Sequence, residues 1–339
     1  MTPPESAPVG AREVGPLGFL HSRPVILFTL DGELFDPDAA LWAVLAALPV
    51  RQSYLVVGPT WTLEGEHLQQ VLRPALERLQ DRFGHFRVVI LASNAAEFEA
   101  VQRCGETPLL CSQGAFVSED VFFPIPGTVR SFDAIYDAAW ADYKRHFLAG
   151  QISSLALITY PNPDHCSIDY HVRALSSVAH ATWLNPPWAE KHRRLEANEV
   201  NEVYNTARVG LCLSSIEGMM RASVQYLLVG LPVVTTHSLG GRDVFFDPSY
   251  TRWVEDDPVD VAEAVAELVR LDIDPESIRR AALAKIDEHR GRFVDWIRRT
   301  IEQDGGDPGR WRERWPLDLP NGLTSRTRVD DVVRKVSTG

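Results

Sequence analysis

Between Ser214 and Asp243 the chain reads SSIEGMMRASVQYLLVGLPVVTTHSLGGRD, an order of residue types suited to holding a phosphorylated ligand. A carboxylate, Glu217, and a glycine, Gly218, stand at the mouth of an apolar helical run. Gly230 and Pro232 end that run, Val233 and Val234 make a short strand, and Gly240-Gly241 closes the unit. The start of a helix offers unpaired N–H groups and the positive end of its dipole, both favourable to phosphate. Met219, Met220, Arg221, Ala222 and Ser223 would turn backbone N–H groups toward it. A carboxylate beside that phosphate can accept hydrogen bonds from the hydroxyls of whatever the phosphate carries, which fits a nucleotide-sugar. Read alone, Glu217 is a first-turn carboxylate that satisfies the helix dipole. The glycines and proline around it turn the reading toward binding. Gln225 lies two turns further on, within about 80° of Glu217 around the helix. It offers an acceptor oxygen and two donors but no charge. Arg221 either adds charge to the pocket or points to solvent.

Other candidates follow strand signals and would sit at the carboxyl edge of a sheet, where such sheets bind ligands. The Gly240-Gly241-Arg242-Asp243 loop is one; its glycines either let the backbone approach a ligand or make an ordinary turn. Asp31-Gly32-Glu33, after the first strand, is a candidate substrate loop, and Ser112 to Phe116, with Gln113, could line the acceptor side. Trp183, Leu184 and Asn185 end another strand. His165, His171 and His237 have no ligand spacing such as HExxH, so polar contacts explain them better than a metal. Asp272-Ile273-Asp274 matches a DxD metal motif in letters only, because it joins two helices. There is no P-loop, no GxSxG and no GxGxxG after the first strand, which disfavours kinase, hydrolase and dinucleotide readings.

The elements that must position these residues alternate. Strand signals at Val25–Thr29, Tyr54–Val57, Val88–Leu91 and Leu109–Cys111 are separated by helical patterns, among them an amphipathic run from Leu63 to Phe83. Pro124, Pro126 and Gly127 then break the pattern, as a linker would. It restarts with strands at Ala134–Tyr136, Leu155–Thr159, Ala181–Leu184 and Val209–Leu213, and with a helix predicted near Tyr143–Leu148. Ile278 to Ile301 reads as a long helix, and Val329–Val336 as a short one after an irregular stretch holding Trp311, Trp315, Pro316 and Pro320. Strand and helix alternating in this way predict parallel sheets with helices on both faces.

At 339 residues two domains are the natural expectation. Hydrophobic content of 45% with 24% charged residues suits a soluble globular enzyme, and a net charge of −12 argues against nonspecific nucleic-acid binding. Cys104, Cys111, Cys166 and Cys212 lack CxxC spacing and read as buried free thiols, which fits a reducing, cytoplasmic compartment. No apolar run is long enough for a transmembrane segment. The Pro/Gly-rich start has no apolar core and reads as a loose tail, not a signal peptide.

The Ser214–Asp243 block resembles the donor-site signature of group 1 (family 4-like) glycosyltransferases of the GT-B fold. Those proteins carry a Glu, a tight turn, a helix with a second Glu eight residues on, a Gly-x-Pro-Val-Val strand and a Gly-Gly loop. Glu217, Gly218, Gly230, Pro232, Val233, Val234, Gly240 and Gly241 fall on that pattern, and Gln225 stands at the second Glu. The likeness is specific over this block, weaker over the rest of the C-terminal half, and only architectural in the first third.

The resemblance implies an α/β fold of GT-B type: two Rossmann-like, doubly wound parallel-sheet domains facing a cleft. Residues 1–20 would be a flexible tail, 21–127 an acceptor domain, 128–305 the nucleotide-sugar donor domain, and 306–339 a tail that could cross back to the first domain. It implies a retaining, metal-independent hexosyltransferase-like activity, with a nucleotide-diphosphate sugar as substrate and no cofactor. The donor phosphate would take the acceptor's proton on the same face. Glu217 would hold donor-sugar hydroxyls, Gln225 the ribose diol, and Asn185 would lie near the base. The family neutralises the diphosphate with an Arg and a Lys five residues apart; Lys144 holds the Lys position but Ala139 the Arg position. Arg145 or Arg242 could substitute. The acceptor would be a glycan, a lipid-linked molecule or a natural product. Ala139 and Gln225 also admit a catalytically weakened nucleotide-sugar-binding accessory protein, and the fold admits a sugar-nucleotide epimerase.

Overall fold

In a computed structural model, which describes residues 13–188, 190, 192–309 and 325–338, the chain divides into two units. One comprises the residues up to Phe116 and those from Glu288 onward; the other is Val117–Asp287.

The first unit opens with β1 (Glu13–Ser22), β2 (Val25–Leu30), α1 (Gly32–Phe35) and α2 (Ala40–Ala47), followed by β3 (Ser53–Gly58) and α3 (Arg73–Phe83). β4 (Phe86–Ala92), α4 (Ala95–Arg103) and β5 (Pro108–Leu110) complete this half. β2 to β5 lie side by side, parallel and in chain order. Their near-continuous apolar sequences reflect burial on both faces. Val25, Leu27, Leu55, Val57, Val88 and Ile90 point to one face, packed with apolar residues of α1 to α4. Phe28 and Tyr54 point to the other, where Phe28 meets the edge of Phe116 at 6.1 Å and Tyr54 that of Trp296 at 6.0 Å. The helix leading into α3 passes through a π-turn at Leu68–Leu72, just before Pro74. A proline within a helix lacks the N–H and crowds the preceding turn, and one wider turn relieves both.

The second unit carries β6 (Phe132–Trp140), β7 (Leu155–Pro161), α5 (Ile168–Ser177), β8 (Thr182–Trp183) and α6 (Ala197–Asn205). β9 (Ala207–Cys212), α7 (Arg221–Leu228), β10 (Val233–Thr236), β11 (Thr251–Val254) and α8 (Pro258–Leu271) follow. All six strands are parallel, in the order β11-β10-β9-β6-β7-β8. The chain therefore winds one way from β6 to β8, then reverses to place β9 on the far side of β6. Ligands of open α/β sheets bind beside the carboxyl ends of strands at such a reversal. Gly210 in β9 lets α7 pack closely, since a Cβ there would lie 2.4 Å from the Tyr226 ring.

α9 (Pro275–Gln303) begins in the second unit and ends in the first. Its buried stripe runs unbroken from Ile278, Ala282 and Ile286 to Phe293, Ile297 and Ile301. The units thus divide at Phe116 and Asp287, the second point lying within this helix, where the sequence pattern placed boundaries at residues 127 and 305. β12 (Ser325–Arg328) then pairs antiparallel with β1, and α10 (Val329–Thr338) buries Val329, Val332 and Val336 in the core of the first unit.

β1 corrects the expectation of a flexible tail over residues 1–20. Glu13–Ser22 pairs with β2 in register Leu17↔Thr29 and Phe19↔Leu27, and Val14, Leu17 and Leu20 are buried. Gly15, Pro16 and Gly18 masked the strand pattern. Residues 1–12 of that tail, and the stretch with Trp311, Trp315, Pro316 and Pro320, lie outside the described residues. All four cysteines are free, and among the described residues no helix is long and apolar enough to cross a membrane.

Candidate functional site

The reversal between β6 and β9 brings two predicted residues together. Lys144 follows β6, Glu217 follows β9, and the Lys144 Nζ forms an ion pair with Glu217 Oε1. Both side chains are buried, at 6% and 9% exposure. The loop after β6 is not the helix predicted near Tyr143–Leu148. It forms two short 3-10 turns, Asp142–Lys144 and His146–Ala149, broken at Arg145, whose φ is 54°. Tyr136 donates its O–H to the Lys144 carbonyl at 2.6 Å, and Ser215 N–H donates to the Tyr143 carbonyl at 3.0 Å. These bonds fix the lysine against the Glu217 loop.

The Glu217 turn is braced from its other side by the glycine loop. Glu217 N–H donates to Leu239 O at 3.0 Å, Leu239 N–H to Ser215 O at 3.2 Å, and Gly241 N–H to Gly218 O at 2.9 Å. Gly240 has φ +99°, which explains the glycine there. Gly240 and Gly241 thus shape the carboxylate's loop.

α7 then begins with Met220 as its N-cap. Ser223 is committed to this turn: its N–H bonds Met220 O at 3.1 Å, and its hydroxyl donates to the same carbonyl at 2.7 Å. The N–H groups of Met219, Met220 and Arg221 take no bond among the described residues. Met220 and Ala222 are buried, while Arg221 is exposed at the helix mouth.

Arg145 and Arg242, the cations the sequence offered in place of the missing arginine, are both engaged by protein groups. Arg145 donates to Leu213 O at 2.7 Å and to Thr236 Oγ1 at 2.6 Å, and pairs with Asp256. Arg242, 1% exposed, bonds Asp243 at 2.7 Å, Ser214 O at 2.6 Å, Thr235 Oγ1 at 2.8 Å and the Thr236 carbonyl. Both guanidinium forks lace together the loops after β9 and β10, because carbonyls at strand ends need donors that only a long side chain can bring. Asn185 is also bonded within the protein: its Oδ1 accepts from Thr159 N–H at 2.7 Å, tying the end of β7 to the loop after β8. Beside it the rings of Trp183 and Trp188 meet at 4.6 Å, and Trp188 is 47% exposed.

In the first unit the acceptor-side candidates also serve their own loops. Asp31 is fully buried and accepts from Thr60 N–H at 2.9 Å, Thr60 Oγ1 at 2.7 Å and His67 Nε2 at 2.9 Å. Gln113 Nε2 donates to Pro59 O at 2.6 Å. Gly32 is exposed, and Glu33 is half-buried with its carboxyl pKa raised by burial.

Asp137 was missed. It stands within β6, beyond the Tyr136 at which the sequence reading ended that strand. Tyr204 donates its O–H to Asp137 Oδ2 at 2.6 Å, and the Tyr204 oxygen lies 3.2 Å from Gln225 Oε1. Burial pushes the Asp137 carboxyl up to about 6, against the opposing pull of the Tyr204 bond, Lys144 and Arg194. An acid interrupting the apolar run Ala134–Trp140 was the signal that could have found it.

No protein-family model matches the chain, and a search of curated proteins finds none similar in sequence. Solved structures do match in fold. TarM is 10% identical, with a TM-score of 0.53 over 76% of this chain and 57% of its own. Sucrose-phosphate synthase from Thermosynechococcus elongatus is 12% identical, with a TM-score of 0.53 over 82% of this chain and 72% of its own. HepE from Anabaena, in complex with UDP, is 13% identical, with a TM-score of 0.56 over 81% of this chain and 78% of its own. The chain spans little more than half the length of TarM. Together with the two parallel-dominated sheets, these likenesses show an α/β, two-domain Rossmann-like GT-B fold.

Proposed function

We propose that the protein is a glycosyltransferase that moves a sugar from a nucleoside-diphosphate sugar to an acceptor, without a metal and with retention at the anomeric carbon. The observation that carries this reading is the Lys144–Glu217 pair at the β6/β9 reversal, beside the open N–H groups before α7.

On this reading the diphosphate docks against the N–H groups of Gly218, Met219, Met220, Arg221 and Ala222. Lys144 gives Glu217 one of its three ammonium hydrogens and has two for phosphate oxygens. Glu217 keeps a second oxygen to accept from a sugar hydroxyl. When the bond from the anomeric carbon to the diphosphate breaks, negative charge gathers beside Lys144, the helix dipole and Arg221, groups already in place before the reaction. Arg221 then serves where the family's Arg is replaced by Ala139. Retention, with the departing phosphate taking the acceptor's proton, follows the family resemblance. Trp188 offers an exposed ring on the side where the base is expected, and HepE with UDP makes uracil the first base to try.

A second reading has its own support. Ala139 leaves a cation missing, and Arg145 and Arg242 are engaged elsewhere, which favours a protein that binds the donor without turning it over. Thermal-shift screening against UDP-, GDP- and dTDP-sugars, followed by labelled-donor transfer to candidate acceptors, separates the two. Stabilisation with transfer supports the enzyme, and stabilisation without transfer or hydrolysis supports the accessory protein. If Glu217→Gln is stabilised by the best donor as strongly as the parent, the site is wrong.

A further inference from the structure

Asp31 does more than close its own loop. Thr60 bonds its Oδ1 twice, through N–H at 2.9 Å and through the hydroxyl at 2.7 Å. The other oxygen, Oδ2, is given to His67 Nε2 at 2.9 Å. A carboxylate only accepts, so Nε2 carries the hydrogen, and in the neutral ring Nδ1 then carries the lone pair. The Phe35 ring meets the imidazole nearly at right angles, at 6.0 Å, and fixes its plane. Nδ1 takes no bond among the described residues, and the His67 side chain keeps 14% exposure while Asp31 has none. An imidazole held at one nitrogen by a buried carboxylate has the other nitrogen oriented for a ligand.

The dyad stands where the first sheet would take one. β2 and β3 are parallel neighbours in register Leu30↔Gly58, so the loops that bear Asp31 and His67 both leave the carboxyl edge of that sheet. Residues 31–39 and 59–67 contain six acids, Asp31, Glu33, Asp36, Asp38, Glu64 and Glu66, and no Lys or Arg. Glu64 and Glu66 are exposed. Surroundings of this sign repel a phosphate or a carboxylate and leave hydroxyl groups as the partners an imidazole nitrogen can take.

We infer that His67, oriented by Asp31, binds a hydroxyl of an uncharged sugar acceptor through Nδ1, and that the acidic loops around it turn away phosphorylated acceptors. The inference rests on the glycosyltransferase reading above, and the test separates the two. Donor affinity would be measured by calorimetry, and transfer from the best donor to a panel of p-nitrophenyl hexosides and to glucose, mannose and their 6-phosphates. These measurements would be made on the parent, His67→Gln and His67→Asn. Gln reaches Asp31 as Nε2 does but offers nothing at Nδ1, whereas Asn sets an oxygen near the Nδ1 position and gives up Asp31. The parent should use at least one uncharged sugar, and a 6-phosphate at least tenfold less well. His67→Gln should raise the acceptor KM about tenfold, the worth of one hydrogen bond, with donor affinity unchanged. His67→Asn should recover most of that loss, which a purely structural role for the Asp31 bond would not allow. A His67→Gln variant with the parent's acceptor KM, an Asn variant no better than Gln, or a parent that prefers a 6-phosphate overturns the inference. A parent that binds the donor but transfers to no member of the panel overturns it too and leaves the donor site standing. A parent that binds no nucleotide-sugar overturns both.

Discussion

Lys144 and Glu217 are 73 residues apart in the chain and form a buried ion pair, each delivered by the loop after one of the two strands that flank the sheet's reversal. Neither loop is regular, and each is braced by bonds to the other. The pair therefore depends on correct winding of the second unit.

Removing one partner leaves the other charge buried and unpaired. Lys144→Met or Glu217→Leu alone should destabilise the protein by about 3–5 kcal/mol, and the double variant by less than the sum. Urea denaturation of the three variants measures this; additive losses would mean that the pair is not coupled.

Arg242 should matter as a brace. Arg242→Lys keeps the charge but loses the fork that serves Ser214, Thr235 and Asp243 at once, so it should cost about 2 kcal/mol or more. Arg242→Met should cost at least as much. Thermal unfolding tests it, and an Arg242→Lys variant as stable as the parent would return Arg242 to the list of ligand candidates.

Two glycines carry tight packing. Gly210→Ala would press a methyl group into the Tyr226 ring, and Gly230→Ala would strain a residue at φ +79° while meeting Pro275 at 2.5 Å. Each should destabilise by about 1–3 kcal/mol, and the Gly210 variant should shift α7. Denaturant midpoints, with near-ultraviolet circular dichroism for the tyrosine environment, provide the check.

Stability should fall in acid through two buried histidines. Burial lowers His146 to about 3 and His289 to about 4, each from an ordinary 6.5. Below pH 6.5 the unfolded chain takes up protons that the folded protein refuses, so their contribution is complete above that pH and is lost as pH drops toward 4 and 3. Asp137 works in the opposite sense: raised from 3.8 to about 6, its contribution is present at low pH and lost as pH rises through 6. His146→Phe should flatten the acid side of the stability profile, and Asp137→Asn should raise stability above pH 6 relative to the parent. Melting temperatures from pH 4 to 8 check both slopes.

The order of elements around Glu217 was legible because it is local. A helix start, a helix stop, a short strand and a glycine pair follow one another within one stretch, and each announces itself by residue type. The alternation of strands and helices was legible for the same reason, since period and punctuation are properties of neighbours in sequence. The roles of the arginines were not. Arg145 and Arg242 look like any free cations in the chain, and only the folded loops bring the carbonyls of Leu213, Ser214 and Thr236 within their reach. Asp31 reads in sequence as part of an open loop, and only folding sets Thr60 and His67 on its carboxylate. Asp137 looked like the end of a strand. Its meaning comes from Tyr204, 67 residues away in the chain, and from Gln225, 21 residues beyond Tyr204. The amino-acid order determined which elements form and where a phosphate-suited helix mouth lies. Tertiary structure decided which charges are left for a ligand, because a hydrogen-bonding group is free or engaged only in relation to distant groups that packing brings near.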